Sequence, residues 1–294
     1  MDLKVLQYFL AVAREGSISA AASALHMTQP PLSKQIKDLE AELGKPLFIR
    51  GNRKISLTES GLLLKKRAEE MLLLMEKTTS EIKNTETEMH GHIYIGCGES
   101  EGMRLIAKTI KQIQSDNPNI IFHLNSGKAD DVLEQLNQGI LDFAIVIEPT
   151  SLSDYDFIKI PYTDTWGVLM KKDSPLAAKA KITPNDLLDI PLICSNQNLF
   201  LNELSGWIGN IDLSQLQIVA TYNLLYNASL LVEEGVGYAL CLDRIISTTH
   251  YNELTFRPFT PSLNVGMYLV WKKNHTLSKV CSHFFNEFQK YVDL

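Results

Sequence analysis

Five polar residues within ten positions, Thr28, Gln29, Ser33, Lys34 and Lys37, carry hydroxyl, amide and ammonium groups. Such groups suit base edges: glutamine pairs bidentately with adenine, serine and threonine with several bases, and lysine with guanine or phosphate. Each good contact is worth about 1–3 kcal/mol. The same pattern also fits an amphipathic helix with a merely solvated outer face. Further on, "LFIRGNRKISLT", Leu47 to Thr58, sets Arg50, Arg53 and Lys54 around a Gly-Asn tip. That is the signal of a hairpin with a basic end. It could lay guanidinium groups along phosphates or into a minor groove, or it could serve solubility alone.

These side chains need elements to hold them. Pro30 and Pro31 sit at the head of a strongly helical pattern, where the first four N–H groups lack partners and a missing donor does no harm. Thr28 is the expected N-cap, its hydroxyl accepting from a following N–H that proline does not block. Leu32, Ile36, Leu39 and Leu43 form one apolar stripe of period 3.6, and Gly44 ends the helix. Leu6, Phe9, Leu10 and Ala13 mark a first helix, and Ile18, Ala21, Ala22 and Leu25 a second. With a tight turn at His26 to Thr28, the three describe a helix-turn-helix whose last helix enters the major groove.

The stretch "LQYFLAVAREGSISAAASALHMTQPPLSKQIKDLEAELGKPLFIRGNRKISLTESG" resembles the winged helix-turn-helix of the LysR-type transcriptional regulators nearly position by position. The shared features are the Ala-rich second helix, Gln29-Pro30 opening the third, and the Leu-Phe-x-Arg wing followed by Leu57-Thr58 and Gly61. The resemblance implies DNA contacts from Thr28, Gln29, Pro30, Ser33, Lys34, Lys37, Arg50 and Arg53. It extends along the whole chain. An N-terminal all-α winged helix-turn-helix (1–58) is expected, then a long linker helix (59–90). An α/β two-lobed effector domain like that of periplasmic binding proteins follows (91–294), with lobe I at 91–161 and 268–294 and lobe II at 162–267.

A net charge of −6 is unusual for a DNA binder, but it is unevenly spread. Residues 28–54 carry six Lys and Arg against three Asp and Glu, whereas 91–294 carry fifteen against twenty-two. The local excess predicts modest nonspecific affinity per head, doubled when two heads share one DNA. A chain of 294 residues suggests about two domains. Cys97, Cys194, Cys241 and Cys281 lie far apart, so neither a metal site nor a disulfide framework is expected. No apolar run is long enough to span a bilayer and no signal peptide is visible, which places the chain in the cytoplasm.

From Thr58 to Gly91 runs a stretch of helix formers without an internal proline. Leu64, Ala68, Met71, Met75, Thr78 and Ile82 alternate spacings of four and three, the seam of a coiled pair, so a homodimer is expected through this helix. The alternative is that the helix packs on its own effector domain. By resemblance it is the family's linker helix, the assembly is a homotetramer built as a dimer of dimers, and the DNA target is an interrupted inverted repeat.

From His92 onward strands alternate with helices, implying a mostly parallel sheet covered on both faces. The chain is expected to cross between two lobes near Pro161 to Asp164 and near Asn264 to Met267. Ligands in such sheets sit beyond the carboxyl ends of strands. Those ends nominate Glu99, Ser100, Ser126, Gly127 and Glu148 on one side and Asn196, Asn198, Phe200, Tyr222 and Asn223 on the other as a small-molecule effector site. In the family a Ser or Thr near Ser100 and another near Ser126 hold the effector's polar group. The carboxylates of Glu99, Glu101 and Glu148 favour an effector with a cationic or hydroxylated part.

"GCGESEG", Gly96 to Gly102, follows a strand and precedes a helix, but it is one residue too long for the dinucleotide fingerprint. No G-x-S-x-G, P-loop or H-E-x-x-H occurs. No enzyme activity, catalytic residue, metal or cofactor is expected. An oxidoreductase would need that glycine loop to hold a cofactor, and a solute-transport component would leave the basic head unexplained. A ligand-responsive regulator accounts for head, linker and cleft together.

Overall fold

In the first unit, Met1–Lys83, helix α1 (Leu3–Glu15) starts at Asp2, whose carboxylate accepts from Lys4 N, and stops at Gly16 with φ +62°. Ser17 caps α2 (Ile18–Ala24), and α3 (Gln29–Leu43) ends at Gly44 with φ +65°. Thr28 precedes α3 but makes no capping hydrogen bond, which corrects the expected role of its hydroxyl. An N-cap oxygen accepts from the second or third helical N–H, and here both of those residues are proline. Phe9, Val12, Ala21, Leu32, Ile36, Leu39 and Leu47 close one core, while Leu43, the last of the expected stripe, is 40% exposed.

Strands β1 (Phe48–Arg50) and β2 (Ile55–Leu57) pair antiparallel as the wing. Glu40 on α3 accepts from Leu47 N (2.8 Å) and Phe48 N (3.2 Å), so the wing is anchored to the third helix. Helix α4 (Glu59–Lys83) starts behind Thr58, whose hydroxyl donates to Pro46 O and accepts from Gly61 N. The expected seam on α4 divides. Leu64 and Ala68 pack into the unit's own core, whereas Met75, Thr78 and Ile82 are exposed. The computed structural model describes residues 1–51, 55–83, 89–148, 150–196, 204–248 and 253–292, so the wing tip and the expected end of the linker lie outside the described residues.

The second unit, Asn84–Leu294, is built on one sheet. Its strands are β3 (Gly91–Cys97), β4 (Ile120–Ser126), β5 (Phe143–Ile147), β6 (Tyr155–Lys171), β7 (Leu192–Ser195), β8 (Ile218–Tyr222), β9 (Tyr238–Leu242), β10 (Leu254–Pro258) and β11 (Asn264–Lys272). The order is β4-β3-β5-β11-β6-β9-β7-β8, with β10 on the flank of β6. The two ends are parallel, as expected, but the centre is not: β5, β11, β6 and β9 run antiparallel. The seventeen-residue β6 and the short β10 were not foreseen. Between Gly266 and Met267 the register against β6 shifts, leaving Pro161 and Tyr162 unpaired. A proline, which cannot donate to a ladder, is tolerated at such a bulge.

Helices α5 (Met103–Asp116) and α8 (Lys279–Val292) pack on one face of the first half-sheet, where Ile93, Ile95, Ile113, Phe143, Phe284 and Phe288 are buried. Helix α6 (Ala129–Asn137) covers the other face so closely that a Cβ on Gly96 would stand 2.4 Å from Val132 Cγ1. The glycine therefore serves helix packing. In the second half-sheet, α7 (Leu225–Glu233) lies over Leu169, Ile193, Ala239 and Cys241.

Candidate functional sites

On the first unit the N-terminal turn of α3 is open. Thr28, Gln29, Pro30, Lys34 and Lys37 are exposed and Ser33 is half-buried. Among the described residues neither lysine has an acidic partner, and Gln29 is held by Ser19 on α2, whose Oγ donates to its Oε1 at 3.0 Å. Sequence reasoning missed Ser19, which sits ten residues away on another helix. The arrangement leaves the Gln29 amide N–H group free to donate, and an oriented amide is what bidentate base reading requires. Arg50 closes β1, and Arg53 lies outside the described residues.

In the second unit a cleft of ≈ 80 Å³ opens where the two half-sheets meet. It brings together Glu99, Gly127, Glu148, Tyr222 and Asn223 of the expected set. Trp166, Ser195, Leu225, Leu242 and Ile245 also line it, residues that read in the sequence as ordinary core. Ser100, Ser126 and Asn196 do not. The Ser100 hydroxyl donates to Asp164 Oδ2 at 2.6 Å and accepts from Gly102 N, while Ser126 is exposed beside Cys97. Asn196 is tied through its own N–H to Tyr222 O, and its side chain is exposed. Phe200 and Asn198 lie outside the described residues.

The polar groups that reach the cleft are largely engaged already. Tyr222 donates to Leu240 O at 2.7 Å, and burial pushes its phenol well above the usual range. Glu148 accepts from Tyr268 Oη and from Gly266 N (2.8 Å), with Lys159 Nζ 3.6 Å away. The Tyr268 bond first, then Gly266, holds its carboxyl below the ordinary value. Glu99 Oε2 accepts from Leu225 N at 2.5 Å. The expected effector with a cationic or hydroxylated part drew on Glu99, Glu101 and Glu148. Glu99 and Glu148 line the cleft and already accept hydrogen bonds, and Glu101 is paired with Arg104 outside it.

Beside the cleft, Asp164 is fully buried where β6 passes from one half-sheet to the other. Its Oδ1 and the neighbouring Tyr162 Oη are buried without hydrogen-bond partners among the described residues. Burial, opposed by the Ser100 bond and reinforced by Asp243, raises the Asp164 carboxyl to about 6. Burial also lifts the Tyr162 phenol to about 12, although the Arg244 guanidinium lies 5.2 Å from its ring. The four cysteines are buried, and burial raises the thiols of Cys97, Cys194 and Cys241, which disfavours their thiolate forms. Among the described residues no group of His, Cys, Asp and Glu is placed to hold a metal, and no helix is long and apolar enough to cross a membrane.

Residues 3–62 match the family model described as "Bacterial regulatory helix-turn-helix protein, lysR family", and residues 86–293 match "LysR substrate binding domain". The chain is 27% identical over 285 residues to the Hca operon transcriptional activator HcaR of Escherichia coli, covering 93% of this chain and 92% of the relative. It is 25% identical over 252 residues to the transcriptional activator IlvY of Salmonella typhimurium, covering 85% of each. Among solved structures, full-length CbnR in complex with its target DNA superposes with a TM-score of 0.74 at 18% identity, over 100% of this chain and 99% of that one. OxyR of Pseudomonas aeruginosa gives 0.59 at 22%, over 98% and 99%.

Proposed function

The chain belongs to the LysR family of bacterial transcriptional regulators, and on that premise we propose that it reads promoter DNA through the open turn of α3 while a small molecule in the cleft modulates that reading. The observation that carries this is the exposed Gln29, held by Ser19 beside Ser33 and the exposed Lys34 and Lys37. Thr28, Pro30, Arg50 and Arg53 complete the proposed DNA-contacting set, with α3 in the major groove and the wing against the backbone. Glu99, Gly127, Glu148, Tyr222 and Asn223, with Trp166 and the apolar wall, form the proposed effector site.

A second copy covering the exposed stretch of α4 at Met75, Thr78 and Ile82 supplies the paired heads that an interrupted inverted repeat needs. Dimers pair further into a tetramer, and the protein works in the cytoplasm. Effector binding shifts the arrangement of the paired heads only through differential affinity for two arrangements of the chain.

Selection of random duplex DNA by the purified chain near physiological salt tests the reading. Enrichment of an inverted repeat is expected, and a folded dimer that enriches nothing would refute it. On the selected site, Gln29→Ala is expected to cost about 1–3 kcal/mol and to relax preference at one position of each half-site. Ser19→Ala should reproduce part of that loss. Arg53→Ala should instead weaken all sequences alike and lower the salt slope by about 0.9. Quantitative binding to a set of single-base variants at two salt concentrations separates the two patterns, and the reverse pattern would overturn the docking.

A further inference from the structure

Glu99 follows β3 in the first half of the sheet, yet its carboxylate is bound to the second. Its Oε2 accepts from Leu225 N at 2.5 Å, across the cleft. Leu225 is the first residue of α7, a helix of nine residues whose preceding residue, Leu224, offers no side-chain cap. Unpaired N–H groups and the helix dipole make such an end favourable to negative charge, and here the charge comes from the opposite lobe. Around this contact the cleft is walled by Ile145, Ile147, Trp166, Leu242 and Ile245 and measures ≈ 80 Å³. Sites for small organic ligands run to roughly 300–1,000 Å³, and the cleft as it stands falls short of that range.

We propose that Glu99 is an autoinhibitory strap: it ties the two lobes together in the ligand-free chain by holding the position that the acid group of a ligand takes when it enters. The inference rests on the ligand-binding reading of the cleft and specifies its ligand as a carboxylate with an apolar body. The exchange is balanced in hydrogen bonds. The ligand's carboxylate replaces that of Glu99 at Leu225 N, and Glu99, half-exposed at the rim, returns to water. What the ligand adds is apolar surface buried against Trp166 and its neighbours. Two carboxylates cannot share one donor without repulsion, so occupancy by the ligand and closure by Glu99 exclude each other. Release of the strap removes a direct hydrogen bond between the lobes, and that is the differential contact through which binding can be felt beyond the cleft.

The test uses the full-length chain without DNA, with benzoate as probe and benzamide as its uncharged counterpart, followed by calorimetry and by intrinsic tryptophan fluorescence. Glu99→Ala is expected to bind benzoate about tenfold more tightly than the parent chain, benzamide, which has no acid group, to gain distinctly less, and Glu99→Gln, which keeps the side-chain shape, to fall between. In Glu99→Ala/Leu225→Pro the gain should vanish. Proline removes the donor at a first helical position, and Leu224 already has the extended backbone that a following proline requires. Because the Leu225 side chain is part of the core, retained benzamide binding is the check that the double variant is folded. The proposal is overturned if Glu99→Ala leaves benzoate affinity unchanged, if benzamide gains equally, if the gain survives in the double variant, or if benzoate at tens of millimolar binds neither protein. Benzoate binding that Glu99→Ala leaves unchanged would sink the strap and keep the cleft as a ligand site, and the DNA selection is independent of both.

Discussion

Gly61→Ala is expected to lower the melting temperature of the N-terminal unit by about 10 °C or more and to abolish sequence-specific DNA binding. A Cβ at this position would lie 2.1 Å from the Leu47 carbonyl oxygen and 3.0 Å from Leu57 Cδ2. The first of these is backbone and cannot swing aside. Leu47 O also accepts from Thr58 N at 3.0 Å, and Leu47 N donates to Glu40 on α3, so any retreat of that carbonyl disturbs the link between the third helix and the wing. Clashes of this kind belong to the small class costing about 3 kcal/mol or more, and each kcal/mol moves a unit of this size by about 4–8 °C. Gly44→Ala is the comparison. It meets no atom within 4 Å and carries only the penalty of φ +65°, about 1 kcal/mol. Thermal unfolding of both variants by circular dichroism checks the prediction, and a Gly61→Ala protein melting within a degree or two of the parent would contradict it.

Asp164→Asn is expected to stabilise the effector unit at neutral pH. The carboxyl titrates at about 6 in the folded chain, against 3.8 for the free side chain. Because the folded value is raised, the fold favours the protonated acid, so stability falls as pH rises through that window and the full penalty is carried above it. The rise corresponds to at most about 3 kcal/mol. Asparagine keeps an acceptor for Ser100 and has no charge to bury beside Glu101 and Asp243, while Arg244 retains its ion pair with Asp243 (2.8 Å). Denaturant unfolding of both proteins should give similar stabilities at about pH 4 and a growing advantage for the variant towards about pH 7. A difference that stays constant with pH would show that Asp164 is not the titrating group.

Patterns of local origin were legible in the sequence. The start of α3 at a double proline, its stop at Gly44, and the strands ending at Cys97, Ser126 and Ile147 follow from short-range chemistry. The cap was misjudged at Thr28 because the same prolines that mark the start also remove the donors. β6 was missed because Pro161 interrupts it in mid-course, and a proline inside a run argues against a continuous strand. For the cleft, strand ends located the neighbourhood but not the direction of side chains. Ser100 turns to Asp164, sixty-four residues away, and Glu99 to Leu225, one hundred and twenty-six away. Leu225, Leu242 and Ile245 carried no signal because an apolar cleft wall and an apolar core have the same composition.

β6 and β11 each contribute residues to both halves of the sheet and stay hydrogen-bonded to one another on both sides of the bulge at Gly266 and Met267. Neither half therefore owns a complete set of strands. A lobe cut out at the domain border would lose its central pair and expose an unpaired edge, so ligand specificity in this architecture is not a cassette to be exchanged by swapping one lobe between relatives. A working chimera would have to splice both strands in mid-course, at the bulge itself, and variation in what the cleft accepts is more readily reached by point substitution along its walls than by recombination of its halves.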